Sequence, residues 1–137
     1  MKVKVVAVGK ISPILKEAQD YYLRKIKNIE LVEVKKQRTK EEEGKKLLEK
    51  AKGYTIALDE RGREMTSREF ASFVQKHPFI TFLIGGANGL SEEVREKSNF
   101  LLSLSKMTLQ HDVARIVLLE QLYRADQIIK GTPYHRD

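Results

Sequence analysis

The sequence predicts an α/β domain, a mostly parallel sheet with helices on both faces. Two observations carry this. Five stretches of strand length are apolar or alternate: 2–8 (KVKVVAV), 29–35 (IELVEVK), 54–59 (YTIALD), 79–84 (FITFLI) and 99–104 (NFLLSL). Segments with helical spacing, punctuated by capping residues and glycines, fill the gaps between them. Strands that alternate with helices pair in parallel, because each crossover lays a helix on one face of the sheet. The 137 residues contain no linker, repeat or low-complexity segment, so 1–137 reads as a single domain.

The elements follow in order. The first strand, 2–8, leads to a helix over 13–27, where Leu15, Ala18, Tyr22 and Ile26 share one face. Ser12-Pro13 suits an N-cap followed by a first helical proline. After the strand 29–35, Thr39 and Glu42 are spaced as a capping box for a charged helix that stops at Gly53. The strand 54–59 is followed by a second box, Thr66 and Glu69, opening a helix that ends near His77-Pro78. The strand 79–84 precedes a short helix from Ser91 to about Lys97. The strand 99–104 precedes the last helix, from about His111 to Lys130, which stops at Gly131.

Composition narrows the chemistry. There are no cysteines, so disulfides, Cys-type zinc sites and thiol catalysis are excluded. His77, His111 and His135 stand 34 and 24 residues apart, which is no metal-ligand spacing, and no metal is expected. No run approaches the ~18 apolar residues of a membrane span, and the N-terminus reads as a strand, so the expected location is cytoplasmic. The formal charge is +7, and its distribution is uneven. Residues 1–53 hold 15 Lys/Arg against 8 Asp/Glu, while 54–137 hold 11 of each. The excess is concentrated in VKKQRTK and KKLLEKAK, which makes Lys35, Lys36, Arg38, Lys45 and Lys46 candidates for contact with nucleic-acid phosphates. Charge alone leaves a merely solubilising surface equally open.

In parallel sheets ligands bind beyond the carboxyl ends of the strands. That rule selects three loops: LDERGRE (58–64), IGGANGLS (84–91) and SLSKMTLQ (103–110). IGGANG lacks the first glycine of a dinucleotide fingerprint and the GK[ST] of a phosphate loop, and it suits a close backbone approach to a flat ligand. LDERG reads as a turn, or as an acid with two arginines at a strand end. Ser103 or Ser105 with His111 and Asp112 suggests a hydrolase, but no G-x-S-x-G elbow accompanies them. SLSKMTLQ has neither glycine nor proline, an unusual composition for an ordinary turn. It leads into ARIVLLEQLYRA, which is apolar nearly all round and contains Arg115, Glu120 and Arg124. A helix of that kind needs burial on more than one side, and a two-fold copy of the chain would supply it. The tail GTPYHRD offers an aromatic stacker, an acid/base group and a donor in Tyr134, His135 and Arg136. A straight 20-residue helix would carry this tail about 30 Å from its own loop, toward a partner's pocket.

Taken in order, LDERG, FLIGGANGLS, LSLSKMTLQH, ARIVLLEQLYRA and the terminal PYHR resemble one family. It is the SPOUT-superfamily bacterial large-subunit (23S) ribosomal RNA pseudouridine N3-methyltransferase family. The resemblance covers nearly the whole chain and is densest from Leu58 onward. It implies a C-terminal trefoil knot, a homodimer, S-adenosylmethionine as methyl donor, and a pseudouridine of the assembled ribosome as substrate. Matched to the family's motifs, Leu58, Gly86, Ser105, Lys106, Met107, Thr108, Leu109 and Gln110 form the cofactor site. Glu120, Arg124, Tyr134, His135 and Arg136 are the candidate catalytic residues. The family usually reads T-L-P-H where this chain has Gln110, so some loop rigidity is expected to be lost. A non-catalytic ribosome- or RNA-binding module with a vestigial pocket is the other reading.

Overall fold

A computed structural model describes residues 2–137. Ten elements alternate along the chain: β1 (Lys2–Val8), α1 (Pro13–Lys25), β2 (Ile29–Val34), α2 (Lys40–Lys50), β3 (Tyr54–Glu64), α3 (Ser67–Gln75), β4 (Phe79–Ile84), α4 (Glu92–Lys97), β5 (Phe100–Ser103) and α5 (His111–Lys130). The strands form one sheet in the order β2-β1-β4-β3-β5, and every pairing is parallel.

Both faces of the sheet are covered. Val5 and Val6 are adjacent on β1, point to opposite faces, and are both fully buried. On one side Val3, Val5, Ile80, Phe82 and Ile56 pack against Phe70 and Val74 of α3 and Leu118, Leu119 and Leu122 of α5. On the other, Val6, Val8, Ala57 and Leu83 pack against Leu47 of α2 and Val94 of α4. Strands buried on both faces need continuous apolar runs, which is why FITFLI shows no alternation.

The capping signals are realised unevenly. Thr66 and Glu69 form a full reciprocal box. Thr39 accepts from the Glu42 amide, and its own hydroxyl lies 3.1 Å from the Glu42 carboxylate, so the backward half of that box is missing. Ser12 makes no side-chain cap; instead its amide donates to Asp112 of α5 at 2.9 Å.

One strand differs from the sequence expectation. β3 extends to Glu64 rather than ending at 59, and its ladder to β5 is interrupted. Leu102 is the register partner of both Leu58 and Arg63, so residues 59–62 are an insertion that leaves the ladder after Leu58 and rejoins it at the same partner. Asp59 supports the excursion by accepting from the Arg61 amide at 2.9 Å. Gly62 returns the chain against the β5 backbone, where a Cβ would collide with the carbonyl of Leu101. Gly62→Ala is therefore expected to lower stability by about 1–3 kcal/mol, read from the urea midpoint at unchanged m-value.

Candidate functional site

Because all five strands are parallel, the loops after β3, β4 and β5 emerge on one edge of the sheet. They enclose a cleft of about 530 Å³, within the usual range for a small-molecule site. One wall is the start of the β3 excursion, Leu58, Asp59 and Glu60. The second is the glycine loop, Ile84, Gly85, Gly86, Ala87, Gly89 and Leu90. The third is the crossing from β5 to α5, including Leu104, Ser105, Met107, Thr108, Leu109, Gln110 and His111.

The glycine wall is formed by backbone. Gly86 and Gly89 form an isolated antiparallel bridge, and Gly89 has a φ of +81°. A Cβ on Gly85 would come within 2.8 Å of the Gly89 carbonyl, so only glycine closes this turn. Behind Gly86 lies Glu43 of α2, 1 % exposed, one carboxylate oxygen accepting from the Gln37 amide at 3.1 Å.

The crossing loop is ordered by its own hydroxyls. Ser103 donates to the Ser105 carbonyl at 2.9 Å, and Ser105 accepts from the Met107 amide at 3.0 Å. Thr108 donates to the Glu60 carboxylate at 2.5 Å, joining the first and third walls. These bonds replace the glycine and proline of an ordinary turn. They also occupy both serines, and His111 sits beside Asp112 at 3.5 Å rather than beside a serine, which leaves no hydrolase triad. Gln110 has a structural role that sequence reasoning did not assign to it. Its side-chain oxygen accepts from the amides of Asp112 and Val113 and so caps α5. The side chain compensates at the helix end for the rigidity a proline would bring.

Of the eight cofactor candidates, Leu58, Gly86, Ser105, Met107, Thr108, Leu109 and Gln110 line the cleft. Lys106 does not; its side chain is 88 % exposed and lies 3.9 Å from Glu64. Sequence reasoning missed Glu60 and Arg95 as lining residues. Arg95 of α4 reaches Asp59 through Nε and Glu92 through NH1. Burial pushes the Asp59 carboxyl up, but the Arg61 amide and the Arg95 guanidinium outweigh it and hold the group below the usual carboxylate value. The LDERG acid was visible as a strand-end group, but its partner 36 residues on has no local signal.

The tail does not extend past the end of α5. It turns after Gly131 and folds back onto its own helix. Tyr134 donates to Glu120 at 3.0 Å, Arg124 pairs with Glu120 at 2.8 Å, and the Arg124 guanidinium lies 4.8 Å from the Tyr134 ring centre. Arg124 also reaches Nδ1 of His135 at 3.0 Å, while Nε2 lies 2.7 Å from Asp137. Arginine only donates, so Nδ1 is the acceptor and the ring proton sits on Nε2 facing the carboxylate. Four catalytic candidates, Glu120, Arg124, Tyr134 and His135, are thus one cluster, and Arg136 is exposed beside it. Glu120 and Arg124 are i,i+4 neighbours on one helix, and within one chain the acid orients its own arginine. None of these five residues lines the cleft. Arg115 is separate again: it is 1 % exposed and bonded to Gln19, Glu33 and the Gly9 carbonyl.

Part of the apolar circumference of α5 is covered within the chain by α1 and α3, so its apolarity does not by itself demand a partner. Ile14, Tyr21, Val113 and Ile129 remain exposed on α1 and α5. The basic candidates are all exposed: Lys35, Lys36 and Arg38 follow β2 on the carboxyl edge, and Lys45 and Lys46 lie on α2. Among the described residues no group of three acids or histidines is arranged to hold a metal ion. Among the described residues no helix is long and apolar enough to cross a membrane.

A parallel sheet with a glycine-walled cleft on its carboxyl edge defines a small-ligand-binding α/β protein, and comparison specifies the class. The family described as "Predicted SPOUT methyltransferase" matches residues 1–135. The chain belongs to the SPOUT methyltransferase family. Its relatives include the ribosomal RNA large subunit methyltransferase H of Acholeplasma laidlawii, 44 % identical and covering 99 % of this chain and 100 % of that protein. The protein of the same name from Syntrophotalea carbinolica is 40 % identical, covering 98 % and 99 %. In fold, the chain resembles a probable methylase family protein from Haemophilus influenzae (14 % identity, TM-score 0.63, 98 % of this chain and 70 % of that one). It also resembles the SpoU methyltransferase AviRb from Streptomyces viridochromogenes (17 %, 0.57, 96 % and 61 %).

Tyr134 supplies a pH test of the tail cluster. Burial, the hydrogen bond to Glu120 and the Glu120 charge push its phenol up to about 12. The neutral donor is therefore retained through the working range. Its contribution to docking the tail is full below about pH 10, the usual tyrosine value, and is lost as pH rises through 12. The absorbance titration of wild type minus Tyr134→Phe is expected to show a midpoint near 12; a midpoint at 10 would mean the tail is undocked.

Proposed function

We propose that this protein is an S-adenosylmethionine-dependent methyltransferase of large-subunit ribosomal RNA, acting as a cytoplasmic homodimer. Its methyl acceptor is N3 of a pseudouridine on the assembled ribosome. The observation that supports this most directly is the three-walled cleft in a chain of the SPOUT family, whose relatives carry a ribosomal RNA methyltransferase name. The cleft suits the cofactor. Leu58, Ile84, Leu102, Leu104 and Leu109 give it apolar walls, Gly85 and Gly86 admit close backbone contact, and the volume matches an adenosyl-sized ligand. The C-terminal trefoil knot implied by the resemblance belongs to this reading.

When bound, S-adenosylmethionine supplies an electrophilic methyl group. The protein's task is to hold the acceptor nitrogen in line with it and to accept the departing proton. In this reading His135 takes the N3 proton. Nδ1, the nitrogen without a proton, accepts from Arg124 in the docked tail, so substrate must displace Arg124 before the imidazole takes a proton. Arg124 and Arg136 donate to carbonyl or phosphate oxygens, Tyr134 stacks on the base, and Glu120 fixes the direction of Arg124. The cluster lies about 14 Å along α5 from His111 and outside the cleft. A second copy placing its tail over the first copy's cleft would join the two halves, and exposed Ile14 and Val113 offer apolar surface for that contact.

Transfer of labelled methyl to ribosomes and to naked RNA, with the modified base mapped, tests enzyme class and substrate together. Deleting residues 133–137 is expected to slow single-turnover transfer by at least ~100-fold while cofactor binding persists; a normal rate would remove the tail from the mechanism.

The basic edge is proposed to carry the RNA backbone. Lys35, Lys36 and Arg38 project from the same sheet edge as the cleft, and Glu43 ties their turn to α2 through the Gln37 amide. Neutralising these with Lys45 and Lys46 is expected to reduce the slope of log K against log salt by roughly 0.7–0.9 for each phosphate no longer neutralised. An unchanged slope in a filter-binding titration would place the RNA elsewhere.

A further inference from the structure

The charges lining the cleft do not cancel. Asp59 is matched: its carboxylate binds the Arg95 guanidinium and the Arg61 amide. Glu60 has no paired cation among the described residues; its one side-chain partner is the neutral hydroxyl of Thr108. That bond holds the carboxylate between the first and third walls, where both residues line the cavity. A sphere of about 530 Å³ is roughly 10 Å across, comparable to the screening length at 0.1 M salt. Any ligand charge in this cleft is therefore felt by Glu60.

We propose that Glu60 is a specificity-determining residue: its carboxylate, tethered by Thr108, makes the cleft prefer a cationic sulfonium ligand to the neutral thioether left after transfer. The inference rests on the methyl-donor reading above. The donor and the product differ by one methyl group and by one unit of positive charge at sulfur. Apolar walls hold both alike, so they set affinity without discrimination. A charge on the cleft wall separates the two, and Glu60, exposed and without a paired cation among the described residues, is the charge the lining leaves unmatched. At ~8 Å in a half-open site, one such charge changes a binding constant by about three- to tenfold. The product is released more readily by the same amount, because transfer removes the charge that the carboxylate attracts.

The test is calorimetric titration of the full chain with S-adenosylmethionine and with S-adenosylhomocysteine, for wild type, Glu60→Gln and Glu60→Asp. Glutamine keeps an acceptor for Thr108 and removes only the charge. Expected is a three- to tenfold fall in the donor-to-product affinity ratio in Glu60→Gln, with product binding within twofold of wild type. Glu60→Asp should keep the wild-type ratio within twofold. A ratio unchanged in Glu60→Gln, or equal losses for both ligands, would overturn the proposal and show a merely structural residue. If wild type binds neither ligand, the methyl-donor reading itself fails, and this inference with it. Should Glu60→Gln not fold, wild type alone decides: rising salt must weaken the donor more than the product, and equal slopes overturn the proposal.

Discussion

A single buried guanidinium holds the two ends of this molecule together. Arg115 sits in the second turn of α5, yet it bonds to the Gly9 carbonyl after β1, to Gln19 of α1 and to Glu33 of β2. Asp112, one turn earlier, accepts from the Ser12 amide. These contacts pin the start of α5 above the β1–β2 side of the sheet. β5, which precedes it, lies at the opposite edge beyond β3. Residues 104–110 must therefore cross the carboxyl ends of the intervening strands, and that crossing is the third wall of the cleft. Removing one partner of such a buried charge typically costs about 3–5 kcal/mol, so the anchor is strong enough to define where the loop runs.

The pinned helix also divides the chemistry. Its first turns border the cleft through His111 and Ala114, while its middle carries Glu120 and Arg124 and receives the tail. A lone i,i+4 pair is worth only ~0.3–0.5 kcal/mol. The tail is held by several small terms instead: the phenol hydrogen bond to Glu120, the Arg124 contacts to Tyr134 and His135, the Arg68–Asp137 pair, and the edge-on ring of Tyr123 at 4.8 Å. Weak, distributed docking is compatible with the proposed exchange of the tail's own contacts for those of a substrate. The cleft is held by backbone geometry and buried packing, which suits a pocket that must keep its shape.

Much of the fold was legible because it rests on local rules. The apolar run FITFLI announced a strand covered on both faces, and Thr66 with Glu69 announced a helix start that formed as a full box. Capping was less legible at Ser12, whose side chain makes no cap and whose backbone amide donates to Asp112, 100 residues away. The β3 excursion was hidden for a related reason. LDERG carries turn residues, but the chain's return to β5 after Gly62 depends on a neighbour that the local pattern does not reveal.

The sequence by itself determined the succession of strands and helices along the chain, the three loops on one sheet edge, and eight cleft candidates of which seven line the cavity. The elements and the loops follow from periodicity, from capping chemistry and from the rule that parallel strands present their carboxyl ends together; the individual residues follow from the motifs shared with the family. Only the tertiary structure decided which charges are matched. It paired Asp59 with Arg95, left Glu60 with a hydroxyl, turned Lys106 out to Glu64, and folded the tail back on its own helix. The physical reason is range. Periodicity and caps act over a few residues, whereas ion pairs form between whichever groups packing brings within about 4 Å, and sequence separation has no bearing on that.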